Sequence, residues 1–297
     1  MKANILKRSL ALAAVSILST GFAPITPMGI YGDDNRSDLY EVQKEEVRAV
    51  AASTAALIGK EHLQNNDSNG YYHKGSTLGH EKKLCPEERF IDQPALSDCS
   101  GFLVGEDLLV TAGHCILSAN SCNSFYFVFD YKMDNAHVGP KFSSYDDVYS
   151  CKKIIERKLS DAADYALIRL NRPVKGRKPL RLQARSAQAG DTLYAIGYPS
   201  GLPTKVADNA TVRTSYSDYF VANLDTFSGN SGSAVFNAET NEVNGILVRG
   251  DDDFRYDRAR RCNVTNRCPD DSCNGEHITH ISFIIKALAK IKSGTSE

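Results

Sequence analysis

After residue 23 no apolar stretch approaches the length of a membrane span, which needs about 20 residues. No cysteine stands near Ala23, so a lipid anchor at that point is not expected. Charge of one sign is not in excess either. Lys and Arg total 35 against 36 Asp and Glu, a formal net charge of −1, which gives no basis for nucleic-acid binding. No pair of cysteines has the C-x-x-C spacing that structural zinc sites favour, and Cys262, Cys268 and Cys273 are spaced too widely to imitate it. Internal repeats and low-complexity tracts are also missing.

What is present begins with an export signature. Lys2, Lys7 and Arg8 precede an apolar run from Leu10 to Leu18, and Gly21-Phe22-Ala23 offers small residues for cleavage. Residues 1–23 are therefore expected to be a signal peptide, although Pro24 is a poor residue directly after a cut. All eight cysteines follow this segment. An even count behind an export signal reads as disulfides in an oxidising compartment, so the protein is expected to be secreted.

Residues 24–83 read as an arm and a helix, either a propeptide or an extension. Asp38 and Glu41 have capping-box spacing, and Val42, Val47, Val50, Ala51, Ala55 and Ile58 recur near helical periodicity. They predict one helix over about 38–59. His62, His73 and His80 fall in a polar loop and read as solvated. From Cys99 the texture changes to short apolar runs, such as 102–104, 108–111, 125–129, 165–170, 192–196, 219–224, 234–236 and 243–248. Glycine and asparagine separate them, a pattern of an all-β barrel or sandwich. Ile281, Ile284, Ile285, Leu288 and Ile291 then mark a closing amphipathic helix.

The chemistry concentrates in Phe227-Ser228-Gly229-Asn230-Ser231-Gly232-Ser233. Glycines on both sides of a serine let the backbone turn its N–H groups toward one point beside an exposed hydroxyl. Acyl transfer needs that combination, because the donors hold the oxyanion formed on attack. Two further pieces precede it in order. Thr111-Ala112-Gly113-His114-Cys115 follows an apolar strand, and Asp164 opens Asp164-Tyr165-Ala166-Leu167-Ile168-Arg169-Leu170. A histidine can take the serine proton, and a buried carboxylate can hold the imidazole in the required tautomer. Asp161 lies outside the apolar strand and reads as a solvated loop residue.

From about Leu84 to Ile291 the chain resembles the trypsin/chymotrypsin-like serine peptidases. Cys99-Ser100-Gly101-Phe102 with Thr111–Cys115, Asp164–Leu170 and Gly229–Ser233 are similar to three segments of that family, in the family order. Tyr31-Gly32-Asp33-Asp34-Asn35-Arg36 and the Gly-Asn-Ser-Gly-Ser turn point to the bacterial secreted branch near the glutamyl endopeptidases. The resemblance implies two antiparallel six-stranded β-barrels within residues 84–297. It also implies Ser231 as nucleophile, His114 as base, Asp164 as orienting group, and the N–H groups of Gly229 and Ser231 as oxyanion hole. A Cys99–Cys115 bridge follows from the same source. Cys122–Cys151 is the next expected pair; Cys85, Cys262, Cys268 and Cys273 stay open among three pairings.

The family's trypsin-like members place aspartate just before the nucleophile, where this chain has Asn230. A neutral amide cannot form the activating ion pair with a new N-terminus, so the oxyanion hole is not expected to wait for one. Asp225 matches the family position that selects Arg or Lys before the cut, and Gly250 ends the strand expected to line that pocket; a turn-capping role for Asp225 stands beside this reading. Leu247 replaces the histidine of the glutamyl enzymes, which argues against a glutamate preference. The sequence thus describes a secreted, monomeric serine endopeptidase, without metal or cofactor and without a membrane span, acting on proteins or peptides after basic residues. A catalytically silent binding or adhesion protein on the same scaffold is the alternative.

Overall fold

A computed structural model describes residues 29–250 and 252–294. The signal-peptide expectation lies outside the described residues. Two closed antiparallel barrels of six strands each make up the body. The first contains β1 (Thr54–Gly59), β2 (Ser97–Leu103), β3 (Leu108–Thr111), β4 (Phe125–Phe129), β5 (Val148–Leu159) and β6 (Asp164–Leu170), in the spatial order β1-β2-β3-β6-β5-β4. The second contains β7 (Thr192–Gly197), β8 (Lys205–Ser215), β9 (Tyr219–Ala222), β10 (Ala234–Asn237), β11 (Val243–Arg249) and β12 (Glu276–His280). Its order, β7-β8-β9-β12-β11-β10, repeats that of the first. The all-β character expected from the short apolar runs, and the two six-stranded barrels implied by the family resemblance, are therefore both present.

Strand β1 corrects the sequence reading. The predicted helix over 38–59 is a helix only at Glu45–Ala51, and Thr54–Gly59 is a barrel strand buried along its whole length. Val47 and Ala51 face the core from the helix and Leu57 faces it from the strand, while Ile58 points to the other side, into a second buried cluster. The apolar residues of both elements happen to continue one helical spacing. β1 pairs with β2 on one side and β4 on the other, so the first barrel begins well before Leu84. The Asp38–Glu41 capping box forms as expected, with Asp38 N donating to Glu41 Oε2 at 2.8 Å, but it caps a single short turn.

Upstream of that turn, a short strand at Arg36–Asp38 adds to the open flank of β8. Lys205 on β8 is buried, and its Nζ donates to Asp38 Oδ1 at 2.6 Å and to Gln93 Oε1 at 2.7 Å. The arm is thus locked to the second barrel. Four disulfides close the structure: Cys99–Cys115 and Cys122–Cys151 as expected, then Cys85–Cys262 and Cys268–Cys273. Helix Ser282–Lys292 lies on the core through Ile284 and Ala287.

Candidate active site

His114 sits in the turn that leaves β3. Gly113 makes that turn possible, because a Cβ there would fall 2.1 Å from Lys158 O and 3.0 Å from Asp164 Oδ1. The backbone thereby approaches β6 closely enough for its first residue to reach the imidazole. Asp164 Oδ1 accepts from His114 N at 3.0 Å, and Oδ2 accepts from His114 Nδ1 at 2.7 Å. A carboxylate only accepts, so Nδ1 carries the proton and Nε2 keeps its lone pair. Asp164 is buried, whereas the His114 side chain is 35% exposed. Asp164 N donates to Thr279 Oγ1 at 3.2 Å, which ties the backbone of this residue to β12 of the other barrel.

The loop before β10 brings Ser231 to the same seam. Gly232 has φ +90°, and a Cβ there would lie 2.1 Å from Ser100 O and 2.4 Å from Thr111 Oγ1. Only glycine allows this contact with the two strands that lead into His114. Ser231 O accepts from Ser100 N at 2.8 Å, and Gly232 N donates to Leu247 O at 2.8 Å. Ser100 also donates its hydroxyl to Gly229 O at 2.7 Å, a second contact across the seam. Among the described residues, neither Gly229 N nor Ser231 N donates to another protein atom. Ser231 Oγ makes no hydrogen bond to His114 here; the imidazole is held by Asp164 alone.

Asn230 points inward. Its Oδ1 accepts from Ser233 Oγ at 3.2 Å, close above Gly197. Asp253 supports the same loop, its two carboxylate oxygens each 3.1 Å from Ser228 N. Burial pushes the Asp253 carboxyl up to about 6, against the opposing pull of the Ser228 hydrogen bonds.

Asp225 is buried, and its carboxylate is engaged by the N-terminal arm. Oδ1 accepts from Tyr31 N at 2.8 Å and Oδ2 from Asn35 N at 2.7 Å. Burial raises its pKa to about 6 although these N–H groups oppose the shift. Gly250 backs onto Glu276, whose carboxyl oxygens lie 2.1 and 2.2 Å from where a Gly250 Cβ would be. Glu276 is fully buried and accepts from Thr226 Oγ1 at 2.8 Å and Tyr31 OH at 3.2 Å. Sequence reasoning assigned Glu276 no chemistry. Its strand, Glu276–His280, has Ile278 as its one aliphatic residue, so nothing local sets Glu276 apart. Leu247 is buried, and Arg249 reaches the rival Asp161, donating from Nη2 to Asp161 O at 2.6 Å.

The sulfurs of Cys99 and Cys115 lie near the His114 ring nitrogens, a grouping with metal-ligand proximity. These sulfurs are bonded to each other and so are not thiolate ligands.

Residues 99–246 match the trypsin-like peptidase domain family. No curated protein matches the sequence. Among solved structures, one described as a Glu endopeptidase in complex with MPD superposes with a TM-score of 0.52 at 15% identity, over 89% of this chain and 99% of that one. A serine endoprotease from Yersinia pestis superposes with a TM-score of 0.50 at 13% identity, over 86% of this chain and 70% of that one.

Proposed function

We propose that this chain, whose residues 99–246 match the trypsin-like peptidase domain family, is a serine endopeptidase that cuts proteins or peptides through His114, Asp164 and Ser231. The observation that carries this assignment is the pair of hydrogen bonds that N and Nδ1 of His114 donate to Asp164. They leave Nε2 as a base, and the strand contacts of Ser231 and Gly232 bring the hydroxyl to the same seam. Ser231 Oγ attacks the scissile carbonyl while His114 Nε2 takes its proton. The tetrahedral oxyanion is held by the N–H groups of Gly229 and Ser231. His114 then gives the proton to the leaving amine, and water repeats the sequence on the acyl-enzyme.

The inward Asn230, already bonded to Ser233, supports an oxyanion loop that is set without an activating N-terminal amine. The buried carboxylates of Asp225 and Glu276, on either side of Tyr31, support an acidic pocket beneath Gly250 and cleavage after Arg or Lys. Residues 1–23 act as the export signal in this reading, consistent with the four disulfides.

A fluorophosphonate probe and a peptide library test the proposal together. The probe should label wild type and not Ser231→Ala, and the variant should lose peptide hydrolysis by about 10⁴-fold or more. Equal labelling of both proteins would remove Ser231 from the mechanism. Cuts without enrichment of Arg or Lys on their acyl side would reject the acidic pocket.

A further inference from the structure

Shortly after β11 the chain forms a two-stranded ribbon, Phe254–Asp257 paired with Cys262–Thr265, that belongs to neither barrel. An isolated hairpin of this size is marginally stable in water, yet this one is fixed along both strands. Cys262 is bonded to Cys85, and Asn263 N donates to Lys83 O while Asn263 O accepts from Cys85 N. The first strand is anchored to the loop of Ser231. The Phe254 ring packs on that of Phe227 with centroids 4.9 Å apart, and Asp253 just before it holds Ser228 N.

The ribbon carries Arg255, Arg258, Arg260 and Arg261, all exposed. Arg260 is paired with Glu87. Arg255, Arg258 and Arg261 have no ion pair and no side-chain hydrogen bond among the described residues. This sets them apart, because every other described arginine except Arg267 donates its guanidinium to a carboxylate or a carbonyl. The unengaged guanidiniums of the described chain therefore collect on this ribbon and directly after it. Arg261 closes the turn at φ +59°, a left-handed position that glycine fills without strain; the chain places a guanidinium there instead.

The neighbouring acids do not cancel this charge. Asp257 Oδ1 accepts from Ala259 N and Arg260 N inside the turn, and Glu88 accepts from Thr265 Oγ1 at 2.6 Å. Even with Asp257 and Glu87 counted in full against the four arginines, the tip stays positive. Asp252 lies at the root, beside the strand end that leads to Arg267, since Asn266 N donates to Asp253 O at 2.8 Å.

We propose that this ribbon is a docking surface for an acidic stretch of the polypeptide substrate, gripped by Arg255, Arg258 and Arg261. The inference rests on the peptidase reading of Ser231. A guanidinium presents its donors as a fork that matches a carboxylate, and three of them match several carboxylates along an extended chain. The contacts of Asp253 with Ser228 and of Phe254 with Phe227 set the range. The strand from Phe254 to Asp257 spans about 13 Å, so an acidic segment at the tip lies roughly four to eight extended residues from the bond being cut.

The test uses paired peptides that share the residues around the cut and carry, about six positions upstream, a run of either Glu or Gln. Wild type is compared with the combined variant Arg255→Gln, Arg258→Gln, Arg261→Gln, and a small ester reports basal activity. Wild type should favour the Glu peptide by about tenfold in kcat/KM, the product of three exposed ion pairs, through a lower KM and not through kcat. The preference should shrink toward unity at about 0.5 M salt. It should vanish in the variant, while ester hydrolysis stays within about twofold of wild type. No preference in wild type, or one that survives the substitutions, overturns the docking surface. Binding of a single-stranded oligonucleotide through these arginines, without a preference for the Glu peptide, assigns the ribbon to nucleic acid and overturns it as well. A wild type that turns over neither ester nor peptide and takes no probe at Ser231 overturns the peptidase reading, and with it the docking of substrate.

Discussion

Asp253 holds Ser228 with both carboxylate oxygens while lying 8% exposed, so its charged form is poorly solvated. Its folded pKa of about 6 stands above the ordinary 3.8. The folded state therefore keeps a proton that the unfolded chain releases between about pH 4 and pH 6. The stabilisation this gives is fully present below pH 4 and is lost as pH rises through 6. Asp253→Asn, which stays neutral, should gain stability relative to wild type over that window, by on the order of 3 kcal/mol at pH 7. Urea unfolding at pH 4 and pH 7 checks it; a difference independent of pH would refute the argument. At this scale the meeting of His114 with Asp164, on which the proposed catalytic roles rest, was legible in the sequence, because acyl transfer restricts residue type and because Gly113 and Gly232 are sterically required where they stand. The partners of Asp225 were not legible. Its hydrogen bond to Tyr31 joins positions 194 apart, and nothing local announces it.

Strand β1 carries the main lesson among the elements. Val47, Val50, Ala51, Ala55 and Ile58 share one spacing, yet a turn at Ala52–Ser53 divides them between helix Glu45–Ala51 and strand Thr54–Gly59. Periodicity cannot report such a break when the residues on both sides are apolar. Strands β5 and β8 were missed for a different reason. β5 carries Lys152, Lys153, Glu156, Arg157 and Lys158 across its length, and β8 contains Asp208-Asn209, a turn-like pair in which Asn209 takes φ +60° inside the strand. The runs at 108–111, 125–129 and 165–170 were readable because each is predominantly apolar, broken only by Thr111 and Arg169. A chain starting at Leu84, where the sequence texture suggests a boundary, would lack β1. Leu57 and Ile58 are both fully buried, and their burial is worth about 5 kcal/mol together. That approaches the whole net stability of an ordinary domain. Such a chain should show no cooperative thermal transition, whereas one starting at Gly29 should melt as a single unit; calorimetry distinguishes them.

At the scale of the molecule, the repeated strand order of the two barrels leaves no trace in the sequence, since packing demands only apolar residues at alternating inward positions. The seam between barrels was legible only through its chemistry. Asp164 N on Thr279 Oγ1, and Ser100 on the carbonyls of Ser231 and Gly229, tie the two halves together across it. The Cys85–Cys262 bridge spans 177 positions and joins the loop before β2 to the hairpin before β12. Any single backbone scission between those cysteines yields two fragments that remain covalently tethered. Should the enzyme clip itself after an exposed basic residue, such as Lys141, the nicked form would migrate as an intact chain on a denaturing gel without reductant. Two bands would separate only after dithiothreitol. A preparation judged whole by electrophoresis alone could thus consist of autolysed molecules that have kept both barrels in place.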